Sequence, residues 1–369
     1  MSQRHLSAVV LAAGAGTRMK SERPKPLHQL CGRPMVVHVL STLDGVDVDW
    51  AVLVVGHGAE RVVKKLNDDA PSQWSLHYVE QVEQKGTGDA VSIALASLPE
   101  HLSDEAEDAD VLILPGDTPL LRPQTIVDLV AQHRETEAAA TMLTVEIDDP
   151  SGYGRVIRDR HGRVRRVVEQ ADASAEEAAV KEINTSVYCF KTSLLGPALR
   201  RISPVNAQGE FYLTDVIHVL AEGGHRVEAM VVNDASEASG VNDRVQLAEA
   251  DAVLRARINQ QWMKAGVSMV DPATTYIDVD VRLESDVTLH PNTWLHGSTR
   301  IASGAEIGPG TRLIECSVGQ NSRIPRCEGR LASVGADVEM GPFCVLEPGA
   351  VVADSERVPS FTTRHGAGE

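Results

Sequence analysis

Two glycines, a threonine and two cations crowd the start of the chain, in Gly14-Ala15-Gly16-Thr17-Arg18, with Lys25 held between Pro24 and Pro26. The apolar run Leu6–Ala13, of strand length, opens directly into them. A strand, a glycine turn and then a helix present backbone N–H groups to phosphate oxygens. In this reading Gly14, Gly16 and Thr17 wrap phosphates through main-chain donors, while Arg18 and Lys25 neutralise them. Such cations stabilise charge on a transferring phosphoryl group without becoming covalently attached. A second constellation lies further along. Asp117 follows the apolar run Val111–Leu114 and so closes a strand at the end where open α/β sheets bind ligands. An aspartate there is a typical Mg²⁺ ligand, with phosphates and waters completing most of the octahedron, while Asn242, far along the chain in GVN, reads by itself as a turn cap or as a second oxygen ligand.

The elements that must position these groups show as a change of rhythm. Up to about residue 270, strand-like runs (Leu6–Ala13, Ala51–Val55, Leu76–Val79, Val111–Pro115) alternate with helix-like ones (Met35–Leu43, Ala59–Leu66, Gly88–Leu98, Gln124–Arg134). The alternation predicts a layered α/β sheet with parallel strands. Thr141–Ile147, Val156–Ile157, Val164–Val168 and Thr185–Phe190 add strands, some antiparallel, and Pro34 is read as lying in the first turn of a helix. Ala248–Lys264 reads as a helix joining the two halves. Beyond it, small apolar residues recur every six positions: Ile301, Ile307, Leu313, then Val318 and Ile324, then Val334, Met340, Leu346 and Val352. A six-residue period gives one short strand and one turn, three such units making each coil of a parallel β-helix. The register falters around Asn292–Thr299 and Arg323–Leu331, where longer turns or insertions are expected.

Composition narrows the partners. A chain of 369 residues favours two domains. A formal net charge of -17 argues against general affinity for nucleic acid or an anionic membrane. Five cysteines, with no CxxC pair, fit a reducing compartment better than a disulfide framework. No apolar segment approaches a membrane span, and the leader MSQRHLS lacks a secretion signal's apolar region, so a cytoplasmic location is expected.

Nearly the whole chain resembles the bacterial bifunctional family that joins a UDP-N-acetylglucosamine pyrophosphorylase to a glucosamine-1-phosphate acetyltransferase. The resemblance runs through LAAGAGTRM (Leu11–Met19), PKPLH (Pro24–His28), GRPM (Gly32–Met35), EQKGTGDA (Glu83–Ala90) and PGDTPLL (Pro115–Leu121). It continues through GYGRV (Gly152–Val156), VVEQADA (Val167–Ala173), EINTSVY (Glu182–Tyr188), GEFYLTD (Gly209–Asp215) and GVNDRVQL (Gly240–Leu247). The resemblance implies a Rossmann-like nucleotidyltransferase domain over 1–247, a linker helix over 248–266, a short left-handed β-helix of hexapeptide repeats over 267–355, and an irregular tail over 356–369. It implies UTP contacts at Leu11, Ala13, Gly14, Gly16, Thr17, Gln81, Gln84, Gly86 and Thr87, the glutamine amides serving the carbonyl and imide N–H of uracil. N-acetylglucosamine 1-phosphate falls to Gly154, Glu169, Asn184, Thr185, Tyr212 and Thr214, catalysis to Arg18 and Lys25, and Mg²⁺ to Asp117 and Asn242. The implied reaction makes UDP-N-acetylglucosamine and pyrophosphate, and the implied assembly is a homo-oligomer, a trimer through the β-helix.

Four residues depart from the family pattern. Pro115 stands where a tyrosine is usual, and Ser186 where a glycine usually follows Asn-Thr; both put the exact hexose in question. Val345 and Glu347 stand where arginines usually face the phosphorylated sugar of the acetyltransferase. With the sequence ending at Glu369, the expectation is that acetyl transfer is absent and that His290, His296 and His365 are surface or turn histidines. Another sugar 1-phosphate or nucleotide, or a regulatory protein that binds nucleotide-sugar, are the competing readings.

Overall fold

The computed structural model describes residues 4–69, 75–103 and 109–366. Two compact units emerge: residues 1–28 with 34–250, and residues 29–33 with 251–369. The short 29–33 segment therefore belongs with the second unit, a membership the expected division at 247 did not contain.

The first unit is a nine-stranded mixed sheet between helical layers. Its strands are β1 (His5–Ala12), β2 (Trp50–Val55), β3 (Leu76–Glu80), β4 (Ala109–Pro115), β5 (Ala140–Glu146), β6 (Arg155–Arg158), β7 (Val164–Val168), β8 (Glu182–Lys191) and β9 (Val227–Val232). The order β9-β5-β8-β4-β1-β2-β3 puts β1 at the heart of the sheet, parallel to β2 and β4. β8 runs antiparallel to both β4 and β5, and β6 and β7 hang off β8 as a hairpin. Alternate residues of β1 enter opposite cores: Leu6, Ala8 and Val10 join one apolar cluster and Val9 the other. Burial on both faces is why the first strand reads as a continuous apolar run. Among the described residues, six longer helices accompany the sheet: α1 (Met35–Ser41), α2 (Ala59–Asp69), α3 (Thr87–Leu95), α4 (Pro123–Thr136) and, past the single turn α5 (Ala175–Ala178), α6 (Thr192–Leu199) and α7 (Asp215–Glu222). The helix α8 (Arg244–Lys264) begins in this unit and continues into the second, where Ile258 joins the β-helix core. Among the described residues, no helix is long and apolar enough to cross a membrane.

Two local expectations need correction. The glycine turn feeds only one 3₁₀ turn, Thr17–Met19, so no helix dipole stands behind it. Pro34 is the cap before α1, with extended ψ, rather than a residue of its first turn.

The second unit is a left-handed parallel β-helix of short strands in three sheets. Its inward ladder is the six-residue series: Ile301, Ile307, Leu313, Val318, Ile324, Val334, Met340, Leu346 and Val352 are all buried in one core. The coil length is not constant. Register pairs Thr288↔Glu306, Glu306↔Arg323, Arg323↔Glu339 and Glu339↔Arg357 give steps of 18, 17, 16 and 18 residues. The slip near Arg323–Leu331 thus comes from shortened corners, where insertions were expected, and the stretch through Asn292–Thr299 keeps full coils. The expected irregular tail over 356–369 is also corrected: Arg357–Val358 and Thr363–Arg364 add two more rungs, while residues 367–369 lie outside the described residues. Cys316, Cys327 and Cys344 fill this core as free thiols, and all five cysteines of the chain are unpaired. Residues 29–33 dock on the unit's own surface: Cys31 N donates to Asp251 Oδ1 at 2.9 Å, Cys31 O accepts from Val279 N at 3.0 Å, and Arg33 pairs with Asp280.

Candidate active site

The glycine loop leaves β1 at the C-terminal edge of the sheet and doubles back against Lys25. Gly16 has φ +61°, and a Cβ built on it would lie 2.7 Å from Lys25 Cβ, so only glycine permits the approach. Pro24 and Pro26 confine Lys25 to a single 3₁₀ turn, Lys25–Leu27, and its side chain is mostly buried. The ammonium donates to Asp117 Oδ2 at 2.5 Å and to Asn242 Oδ1 at 2.9 Å. Arg18 Nη2 donates to the same Asn242 oxygen at 2.9 Å. Residues 18, 25, 117 and 242, scattered along the sequence, thus close into one constellation.

Main-chain bonds hold it together. Gly116 N donates to Leu11 O at 2.8 Å, fixing the end of β4 beside the end of β1. Val241 N donates to Asp117 O at 2.8 Å, which brings Asn242 to the site. Gln246 accepts from Asn242 N at 2.8 Å, locking the turn into α8; sequence reasoning had not singled it out.

A cleft of about 370 Å³ opens beside this cluster. Its lining includes Leu11, Ala13, Gly14, Gln81, Gln84, Gly86 and Thr87, together with Lys25 and Asp117. Gln81 is buried, and its amide donates to Gly86 O at 3.1 Å and Asp89 Oδ2 at 2.8 Å. With both N–H groups committed, only its carbonyl oxygen is left for a ligand N–H, so it cannot serve both edges of a base as expected. Gln84 Nε2 spends one N–H on Ala13 O at 2.8 Å and keeps the other. Asp89, which orients Gln81, was a residue the motif reading passed over. Gly16, Thr17, Arg18 and Asn242 lie outside the cleft lining, Arg18 and Asn242 joining it through Lys25.

The expected sugar residues form a separate, more buried group. A Cβ on Gly154 would meet Val167 at 2.9 Å and Glu169 Oε2 at 3.3 Å, so the glycine lets β6 press onto the Glu169 carboxylate. Gly154 O accepts from Asn184 N at 2.9 Å. Burial pushes the Glu169 carboxyl above its ordinary range, the Thr214 hydroxyl at 3.0 Å opposes this, and Asp215 and Asp172 reinforce it. Tyr212 is 8% exposed and its hydroxyl finds no partner. Burial, then Asp172, Glu169 and Glu210, push it up to about 12. A buried phenol without a protein partner is a donor still open to a hydrogen bond. Asn184 uses Nδ2 on Tyr188 Oη at 2.7 Å and Oδ1 on Ser186 N at 3.2 Å. Thr185 is not brought to the site: its hydroxyl donates to Leu143 O at 2.8 Å inside the sheet, so it stabilises β5–β8 pairing. Ser186 and Pro115, the two departures from the family pattern in this unit, line the cleft, as does Glu210, which carried no role in the sequence reading. Glu210 sits inside the quoted GEFYLTD segment, where Phe211 N donates to Lys85 O and Gly88 N to Phe211 O, both at 2.8 Å.

Asp117 and Asn242 suit a divalent cation on the chemistry of their donors. A carboxylate oxygen and an amide oxygen already converge on one cationic atom, the Lys25 ammonium, and both are hard oxygen donors. Among the described residues no group of three or more His, Cys, Asp or Glu could hold a metal ion, so an ion at this pair would need oxygens from outside the protein.

An α/β sheet whose strand ends carry a glycine phosphate loop, a confined lysine and a carboxylate–amide pair defines a nucleotidyltransferase. The sequence profile of the nucleotidyl transferase family matches residues 7–268. Among relatives, the bifunctional protein GlmU of Heliobacterium modesticaldum is 42% identical over 355 residues, covering 96% of this chain and 75% of that protein. The GlmU proteins of Streptomyces coelicolor and Streptomyces avermitilis are each 44% identical, covering 97% and 99% of this chain and 73% and 74% of theirs. The chain belongs to the GlmU family of nucleotidyltransferases. A Bacillus anthracis structure described as a glucose-1-phosphate thymidylyltransferase shares the fold, with a TM-score of 0.54 at 20% identity over 67% of this chain and 94% of that one.

Proposed function

We propose that the enzyme is a uridylyltransferase that makes UDP-N-acetylglucosamine and pyrophosphate from UTP and N-acetylglucosamine 1-phosphate. The observation that carries this reading is the meeting of Lys25, Asp117 and Asn242 at the mouth of a cleft lined by Gln81 and Gln84. The glutamine carbonyl and amide suit the alternating acceptor and donor edge of uracil. An oxygen of the sugar phosphate attacks the α-phosphorus in line. A new P–O bond forms as the α–β bridge breaks, and pyrophosphate leaves with the electron pair. The nucleophile is already anionic at neutral pH, so no general base is required; alignment and charge stabilisation do the catalysis. Lys25 and Arg18 turn onto the phosphates, and the Gly14–Thr17 amides orient them. Asp117 and Asn242 would hold the divalent ion, taken as Mg²⁺, which when bound neutralises phosphate charge. On the sugar side, Glu169, Asn184, Tyr212 and Thr214 bind hydroxyl and amide groups over the floor made by Gly154.

The division of labour we infer gives transfer to the first unit and assembly to the β-helix, through which three copies associate. We further propose that acetyl transfer is absent, because Val345 and Glu347 are exposed on the β-helix where a phosphorylated ligand needs cations. These substrates assign the reaction to the cytoplasm. The test is pyrophosphate release from UTP and Mg²⁺ with N-acetylglucosamine 1-phosphate, glucosamine 1-phosphate or glucose 1-phosphate, with acetyl-CoA added in parallel. Release with the N-acetylated sugar and no free thiol supports the reading. Preference for another sugar refutes its substrate, and thiol formation with glucosamine 1-phosphate refutes the missing acetyl transfer.

A further inference from the structure

The segment Asn184-Thr185-Ser186 carries two hydroxyls, and they point to different fates. Thr185 turns into the sheet, onto Leu143 O. Ser186 is the exposed residue between buried neighbours in β8, and it lines the cleft with Lys25 and Asp117. Its φ is +62°, a left-handed conformation that glycine adopts freely and serine does not. The register of β8 against β5 slips at this point, between Asn184 and Tyr188, so a bulge aims the side chain out of the ladder. The amide N–H of Ser186 is held by Asn184 Oδ1 at 3.2 Å, while its hydroxyl has no protein partner among the described residues. Across the sheet, Tyr188 pairs with Ile113 in antiparallel register. The ladder between these strands ends there, and Pro115, just beyond Ile113, lines the same cleft as Ser186 and has no N–H to offer. A strained backbone position in a cleft that retains a free hydroxyl beside a residue without an N–H is a candidate for a ligand contact.

We propose that Ser186 is a specificity-determining residue, its hydroxyl bonding to a hexose hydroxyl of the sugar 1-phosphate against the apolar face of Pro115. The assignment rests on the transferase reading above. It is tested with Ser186→Gly, which relieves the backbone, and Ser186→Ala, which keeps the Cβ and removes only the hydroxyl. Steady-state kinetics are run with N-acetylglucosamine 1-phosphate, glucose 1-phosphate and galactose 1-phosphate. Both variants should lose about three- to tenfold in kcat/KM for the preferred sugar, the worth of one neutral hydrogen bond. The loss should appear in the KM for sugar, leave the KM for UTP unchanged and flatten the discrimination between sugars. Ser186→Gly should melt at the same temperature as the parent or higher, which separates a ligand contact from a structural one. Unchanged discrimination in both variants, or a shift confined to the KM for UTP, overturns the assignment and leaves the transferase reading standing. A parent enzyme that releases no pyrophosphate with any sugar phosphate sinks both.

Discussion

Lys25 gives one ammonium to two oxygens suited to a divalent ion, and that sharing governs what its removal should do. Without the lysine, charge on the transferring phosphoryl group loses a donor in a confined site. Lys25→Ala is expected to lower kcat about 10²–10³-fold, measured as pyrophosphate release. The same variant should bind Mn²⁺ more tightly in the absence of nucleotide, read by electron paramagnetic resonance, because no ammonium then competes for Asp117 and Asn242. Asp117→Asn should do the reverse. Loss of a group that merely supports a metal ligand costs roughly 10–100-fold in metal affinity, and a direct ligand should cost at least that. Residue identities were legible in the sequence because Gly16, Lys25 and Asp117 sit in runs whose spacing has a phosphate chemistry. Side-chain direction was not. Nothing in the order Asn-Thr-Ser tells that Thr185 faces the sheet and Ser186 the cleft, since a bulge sets that alternation.

At the scale of elements, the strand β4 carries Asp117 just past one end and a buried ionic cluster at the other. Asp110 is 1% exposed, with Arg134 Nε at 3.1 Å, His133 Nε2 at 3.5 Å and Arg4 Nη1 at 3.9 Å. Burial raises its carboxyl, but hydrogen bonds and charge from His133, Arg134 and Arg4 outweigh burial and hold it below the ordinary value. An unfolded aspartate titrates near pH ~3.9. The stabilising contribution of Asp110 is therefore complete above about that pH and is lost as pH falls through the lower folded value. Urea unfolding at pH 7 and pH 3 should show this loss in the parent, and Asp110→Ala should cost about 3–5 kcal/mol at pH 7 by stranding its partners. A Leu313→Ala change in the β-helix core should cost roughly 2–5 kcal/mol in the same assay. The strands of the first sheet were legible because burial on both faces writes apolar runs. Helix α6 was not, since Gly196 and Pro197 interrupt its pattern, and its stability comes from Leu195 and Leu199 packing into the sheet's core. The extra rungs at Arg357 and Thr363 were missed because their outward residues are polar and Val358 alone carries the inward signal.

For the whole molecule, two rhythms in one sequence became two units of different architecture, and the candidate nucleotidyl-transfer site lies within the first. The proposed trimer predicts a mass near three times 39.7 kDa by light scattering. The measurement that bears most directly on the transfer itself follows one phosphorus atom. N-acetylglucosamine 1-phosphate labelled with ³²P is incubated with UTP, Mg²⁺ and the purified chain, and the products are separated by anion exchange. Attack by the sugar phosphate on the α-phosphorus predicts all the label in UDP-N-acetylglucosamine and none in pyrophosphate or on the protein. Label in pyrophosphate, label attached to the enzyme, or no labelled nucleotide-sugar would contradict it.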